Sequence, residues 1–178
     1  FGVSGRTMLN KGDHPYTKEK AYQNSLSYQP DIVIIKLGTN DSKPQNWKFK
    51  AEFADDTKAL VQSYTSLPNK PRVILCQPAP VVQSRWGITE KVTRGELAPL
   101  VRNVALELNT ELVDLHTPLV NHKDWIPDGV HPNAFGAEVM ARHLHRYLTT
   151  ERDNEWTTET MEGAQFGNFH GYAMQNFK

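Results

Sequence analysis

The chain has 178 residues, the size of one ordinary domain, and its 38% apolar content with four Trp is enough to fill one core. Twenty Lys plus Arg balance twenty Asp plus Glu, which argues against a nucleic-acid partner held on a basic face. Apolar runs such as Ile32 to Ile35 are strand-sized, far below the roughly 18 residues of a membrane span. The single cysteine, Cys76, can form no internal disulfide and lacks the companions of a zinc site. Phe1 stands where a Met would begin a chain, so further residues are expected before it and a leader peptide cannot be sought.

Residues 17–29 read as a polar-faced helix ending before Pro30. The run at 31–37 is continuously apolar from Ile32 to Ile35, the mark of a strand covered on both faces. Residues 47–65 place Phe53, Leu60, Val61 and Tyr64 at near-helical spacing, and 72–76 form a second buried strand behind the turn residues Pro68 to Pro71. A helix over about 94–109 carries the stripe Leu97, Leu100, Val101, Val104 and Leu108. A third strand follows at 112–115. The last helix, about 134–148, has Asn133 as its N-cap and Met140, Leu144 and Tyr147 on one side.

Strands alternating with helices predict a parallel sheet with helices on both faces. In such sheets the functional side lies beyond the carboxyl ends of the strands, here the segments after Leu37, Cys76 and Leu115. Residues 149–178 lack periodicity and are rich in Thr, Glu, Gly, Asn and aromatics. They read as a linker or the start of a downstream domain, and 166–177 weakly resembles the beginning of an α/β-hydrolase domain.

Three segments can carry chemistry. Asp128-Gly-Val-His131 spaces a carboxylate three residues from an imidazole, close enough in a turn to hold one tautomer for general-base work. The same residues also suit a capped loop. Gly38-Thr-Asn-Asp41 follows a strand, so the Asn40 amide can serve as an oxyanion donor, although these are also common turn residues. Near the start, Gly5 in Ser4-Gly-Arg-Thr7 can offer an uncovered backbone N–H. By itself that segment reads as a loop.

Together, and in this order, the segments resemble the SGNH hydrolases, also called the GDSL esterase/lipase family. Gly5 corresponds to the second-block glycine. Gly38, Asn40 and Asp41 match the third block, and Asp128 and His131 match the fifth. The resemblance covers about 1–148 and implies a flavodoxin-like three-layer α/β/α sandwich with a parallel sheet. It implies His131 as base, Asp128 as its orienting carboxylate, and Gly5 N–H and Asn40 Nδ2 as oxyanion donors. Gly38, Asp41, Arg6 and Trp86 are the candidate substrate contacts. Arg6 also reads as a structural partner of Asp41, and Trp86 as a loop anchor or a face for a sugar ring.

The surroundings of Gly5, with Gly12-Asp-His-Pro-Tyr16 following, resemble the carbohydrate O-acetylesterase branch. The resemblance then implies an acetylated carbohydrate or other small ester as substrate, an acyl-enzyme, no metal or other cofactor, and a secreted or periplasmic location. Neither Asp13-His14 nor His143-x-His145 makes a metal site, since positions two apart on a helix face different ways.

One block is missing. The family nucleophile sits in Gly-Asp-Ser, yet none of the serines at 4, 25, 27, 42, 63, 66 and 84 has that context or a Gly-x-Ser-x-Gly elbow. The serine is expected from a preceding segment or a second chain, together with the family's first two strands. Without them, 31–37 would be an apolar sheet edge prone to aggregation. The competing interpretation is a non-catalytic carbohydrate-binding or scaffolding domain that keeps the hydrolase fold.

Overall fold

The computed structural model describes residues 1–150. The expected linker or domain start at 149–178 therefore falls, beyond Thr150, outside the described residues.

Three parallel strands form a sheet in the order β1 (Ile32–Ile35), β2 (Arg72–Gln77), β3 (Glu111–Asp114). Ile32 aligns with Arg72, and Ile74 with Glu111. A forked ion pair between Arg72 and Glu111 ties β2 to β3 where the strands begin. The helices are α1 (Lys20–Ser27), α2 (Pro44–Trp47), α3 (Phe53–Thr65), α4 (Glu90–Val92), α5 (Ala98–Glu107) and α6 (Ala134–Thr149).

On α3, Phe53, Thr57, Leu60, Val61 and Tyr64 are buried, a helical stripe that must face apolar neighbours. It meets Ile35, Val73 and Leu75 from the sheet and Val101, Val104 and Ala105 from α5 in the main core. Tyr22 and Leu26 of α1 pack against the same cluster. On the opposite face, Ile74, Cys76 and Val113 meet Met140, Leu144 and Tyr147 of α6. Asn133 caps α6 by accepting the Gly136 N–H at 3.0 Å, as expected from its position before the helix. The result is an α/β/α arrangement with a small sheet.

Four expectations need correction. The segment 31–37 is not covered on both faces, because Ile32 is 44% and Ile34 39% exposed. Alternate residues of a strand point to opposite faces. The α3–α5 layer covers the face of Val33 and Ile35, whereas the apolar side of α6 packs on β2 and β3. Among the described residues, strand β1 is also a sheet edge.

The helices expected at 17–29 and 47–65 are broken near their starts. A 3₁₀ turn at Tyr16–Lys18 precedes α1, with Glu19 extended between them, and α2 with a 3₁₀ turn at Lys50–Glu52 precedes α3. The helix expected at 94–109 begins with a π-helical turn, Thr93–Leu97, of the kind often found beside functional sites.

Phe53 is fully buried and meets the Trp47 ring edge-on at 5.6 Å. Phe53→Ala should lower unfolding free energy by about 3–5 kcal/mol, read as a shifted urea midpoint with little change in slope.

Candidate active site

The sequence 128–131 folds into a turn built around one carboxylate. Asp128 Oδ1 accepts the N–H groups of Val130 (2.9 Å) and His131 (2.7 Å), an Asx-type closure. Its Oδ2 lies 2.8 Å from His131 Nδ1. Hydrogen bonds from the His131 backbone and ring, then from Val130, hold the Asp128 carboxyl well below the usual carboxylate range. An ionised carboxylate only accepts, so Nδ1 donates to it, and in the neutral imidazole Nε2 keeps the lone pair. The His131 side chain is 64% exposed, so its Nε2 edge is open to solvent.

Gly129 makes this turn possible in two ways. Its φ is +88°, and an added Cβ would lie 2.3 Å from the Gln83 carbonyl oxygen. Its own carbonyl accepts the Val82 N–H at 3.0 Å. The loop after β2 is thereby locked onto the dyad turn. Farther along, Arg85 and Ile88 exchange N–H···O bonds of 3.2 and 2.9 Å, and Trp86 sits at the tip with φ +53°. Its indole is 53% exposed and meets the His131 ring edge-on at 5.4 Å, with the Arg85 guanidinium 4.4 Å from the indole centre. A left-handed backbone at a bulky residue is costly, and here it carries an exposed aromatic ring to the side of the imidazole.

The turn after β1 is closed by Ser42 N–H to Gly38 O at 3.2 Å. Gly38 has φ +117°, and a Cβ there would press on Leu97 at 2.9 Å. It is buried, so the expectation of a substrate contact is replaced by a packing role against the π-helical turn. Asp41 is corrected likewise. Its carboxylate is wholly buried and accepts the N–H groups of Met8 (3.0 Å) and Leu9 (2.7 Å). Nor does Arg6 pair with Asp41; its Nε donates to Glu19 Oε1 at 2.7 Å, and the guanidinium also reaches the Ser4 carbonyl.

Asn40 is half-buried. Its backbone carbonyl is held by Asn46 Nδ2 at 2.9 Å, while its side-chain amide takes part in none of the described hydrogen bonds. The Gly5 N–H is likewise unengaged among the described residues, and the space where a Cβ would sit is open. These contacts join the pieces. Asp41 ties the Gly5 segment to the Asn40 turn, and Gly87 packs on Pro44, where a Cβ would lie 2.6 Å from the proline ring. Trp86 meets His131, and Gly129 holds Val82.

Motif reading passed over three residues. Asn46, buried, links Asn40 to Asp13, accepting the Asp13 N–H at 2.9 Å and donating to its carboxylate at 3.0 Å. Glu90 and His116 form a second acid–imidazole pair. Lone polar residues in ordinary contexts give no sequence signal of this kind. His143 and His145 lie on α6, and among the described residues no three His, Cys, Asp or Glu side chains gather as a metal group.

The fold and this constellation define a parallel α/β/α domain with a histidine–carboxylate dyad beside two strand-end turns. The chain belongs to the GDSL-like lipase/acylhydrolase family, whose sequence pattern matches residues 1–139, as the motif resemblance implied. It is 40% identical over 159 residues to an acetylxylan esterase of Xylanibacter ruminicola, covering 79% of this chain and 33% of that protein. A multidomain esterase of Ruminococcus flavefaciens is 29% identical over 119 residues, covering 65% and 15%. The chain thus spans a third or less of the length of these two relatives. Among solved structures, Est24, a carbohydrate acetylesterase from Sinorhizobium meliloti, superposes with a TM-score of 0.65 at 20% identity, covering 83% of this chain and 75% of that one. A catalytic mutant of Axe2, an acetylxylan esterase from Geobacillus stearothermophilus, gives 0.64 at 21%, covering 84% and 71%. These superpositions establish the fold.

Burial raises the Asp41 carboxyl from 3.8 to about 6, against the hydrogen bonds from Leu9 and Met8. Between those values the unfolded chain has released the proton and the folded chain keeps it. Stability from this group is therefore full below pH 3.8 and lost as pH rises to about 6. In Asp41→Asn that fall should vanish from the Tm-against-pH curve. The variant should also be destabilised by about 1–3 kcal/mol, because an amide NH₂ now meets a peptide N–H. An unaltered slope would show that Asp41 does not titrate there.

Proposed function

We propose that this chain carries most of a serine ester hydrolase domain that removes O-acetyl groups from carbohydrate through an acyl-enzyme. The observation that carries the proposal is the Asp128–His131 dyad, with Nδ1 committed to the carboxylate and Nε2 open beside Trp86. Family membership and the acetylxylan esterase relative support the ester chemistry and the substrate class.

The nucleophile is a serine from residues preceding Phe1. Ser25 and Ser42 support this assignment, because both are buried and donate to neighbouring oxygens or share a hydrogen with Tyr64. Ser27, Ser63 and Ser66 lie on or just after helices that run back to where strands begin, the side opposite the dyad. The incoming serine Oγ attacks the acetyl carbonyl and passes its proton to His131 Nε2. The oxyanion accepts the Gly5 N–H and Asn40 Nδ2. Collapse expels the sugar hydroxyl, which takes the proton from His131. Water then attacks the acetyl-serine through the same base, releasing acetate and restoring the serine. Trp86 walls the side where the carbohydrate leaving group sits.

In the full-length polypeptide, His131→Ala should abolish p-nitrophenyl acetate turnover, and Asp128→Asn should lower kcat by roughly 10³–10⁴-fold. Retained turnover in His131→Ala would overturn the assignment. Trp86→Ala should raise KM for an acetylated xylo-oligosaccharide while sparing p-nitrophenyl acetate; equal effects on both would remove the sugar-contact role. A serine-directed phosphonate should label one serine upstream of Phe1, and labelling within 1–150 would place the nucleophile elsewhere.

A further inference from the structure

The second histidine–carboxylate pair has no part in the chemistry above. His116, in the turn after β3, is buried, and its Nε2 meets Glu90 Oε1 at the start of α4. The other Glu90 oxygen accepts the Val81 N–H at 2.7 Å. The next residue, Val82, donates its N–H to Gly129 O at 3.0 Å. At the far end, Asp114 at the tip of β3 accepts the His116 N–H at 2.7 Å and the Thr117 hydroxyl at 2.7 Å. One hydrogen-bonded path thus runs from the end of a core strand through His116, Glu90, Val81 and Val82 to the glycine between Asp128 and His131.

We propose that Glu90 and His116 are positioning residues for the catalytic turn. The dyad turn carries an exposed imidazole, so its height and angle are fixed from beneath, through buried Val130, which packs on Val81 and Ile88, and through Gly129. The peptide 81–82 supplies that fixation. One side of it is held by Glu90 and the other holds Gly129, where there is no room even for a Cβ beside Gln83. His116 keeps the Glu90 carboxylate aimed, and Asp114 anchors the His116 backbone to the sheet. Neither residue need touch the substrate. The catalytic consequence rests on the esterase reading above, whereas the geometric one does not.

The test uses the full-length polypeptide with Glu90→Ala, Glu90→Gln and His116→Gln. Three quantities are read well below each Tm: kcat and KM for p-nitrophenyl acetate, and the low-field proton resonance of the Asp128-bound His131 Nδ1–H, identified by its loss in His131→Ala. Misplacing a catalytic group by ~1 Å can cost about 100-fold. Glu90→Ala should therefore lower kcat by roughly 10- to 100-fold with KM changed less than about twofold, and should shift or broaden the Nδ1–H resonance. Glu90→Gln keeps an oxygen for the Val81 N–H and should restore most of both readouts. His116→Gln should fall between the two, and these two variants decide the question if Glu90→Ala does not fold. Folded variants with unchanged kcat and an unchanged resonance would overturn the proposal, whatever their Tm. If the unsubstituted protein turns over no ester, the esterase reading fails, and the resonance alone still supports or refutes the positioning role.

Discussion

A carboxylate taken out of water must find donors, and the Asp41 carboxylate finds them in the peptides of Met8 and Leu9, more than thirty residues earlier in the chain. Desolvation opposes its charge strongly, so the two N–H groups cannot be spared. That requirement makes the N-terminal segment and the turn after β1 one body. Gly5 lies three residues before Met8 and Asn40 directly before Asp41, so the buried carboxylate ties the two segments that carry them. In the proposed mechanism, donors held in this way need no reorganisation when charge develops on a substrate oxygen.

The opposite regime governs Asp128. It is close to solvent, yet three donors from its own turn keep it ionised more firmly than usual. Local hydrogen bonding rather than burial sets its state. The two aspartates thus do different work. One is internal and ties distant segments together. The other is superficial and organises four consecutive residues, leaving the imidazole accessible.

Much of this was legible in the sequence because it is local or periodic. The three strands and the main helices follow from apolar spacing, and the dyad from a three-residue offset that a turn brings into contact. The apolar run alone reads as covered on both faces, whereas the expected edge position of 31–37 without the family's first strands agrees with the exposure of Ile32 and Ile34. The roles of Asp41 and Gly38 were misread because the motif puts them beside Asn40, while direction and burial depend on tertiary packing against Met8, Leu9 and Leu97. The broken starts of α1 and α3 escaped notice because breaks of one or two residues, such as extended Glu19, leave no mark in the apolar spacing of a polar-faced segment. Glu90, His116 and Asn46 left no trace in the pattern, as their partners lie far away in sequence.

The register of the sheet bears on how the molecule is made. Each strand pairs only with a parallel neighbour, and aligned residues lie 40 apart between β1 and β2 and 37 apart between β2 and β3. No hairpin joins these strands, so each pairing waits on closure of a long loop before it returns any contact energy. Folding should be correspondingly slow and led by the helices. The turns at the carboxyl ends of the strands take their final form only once the strands have met, so the local Asp128 turn can form early while its docking onto Val82 through Gly129 would come late.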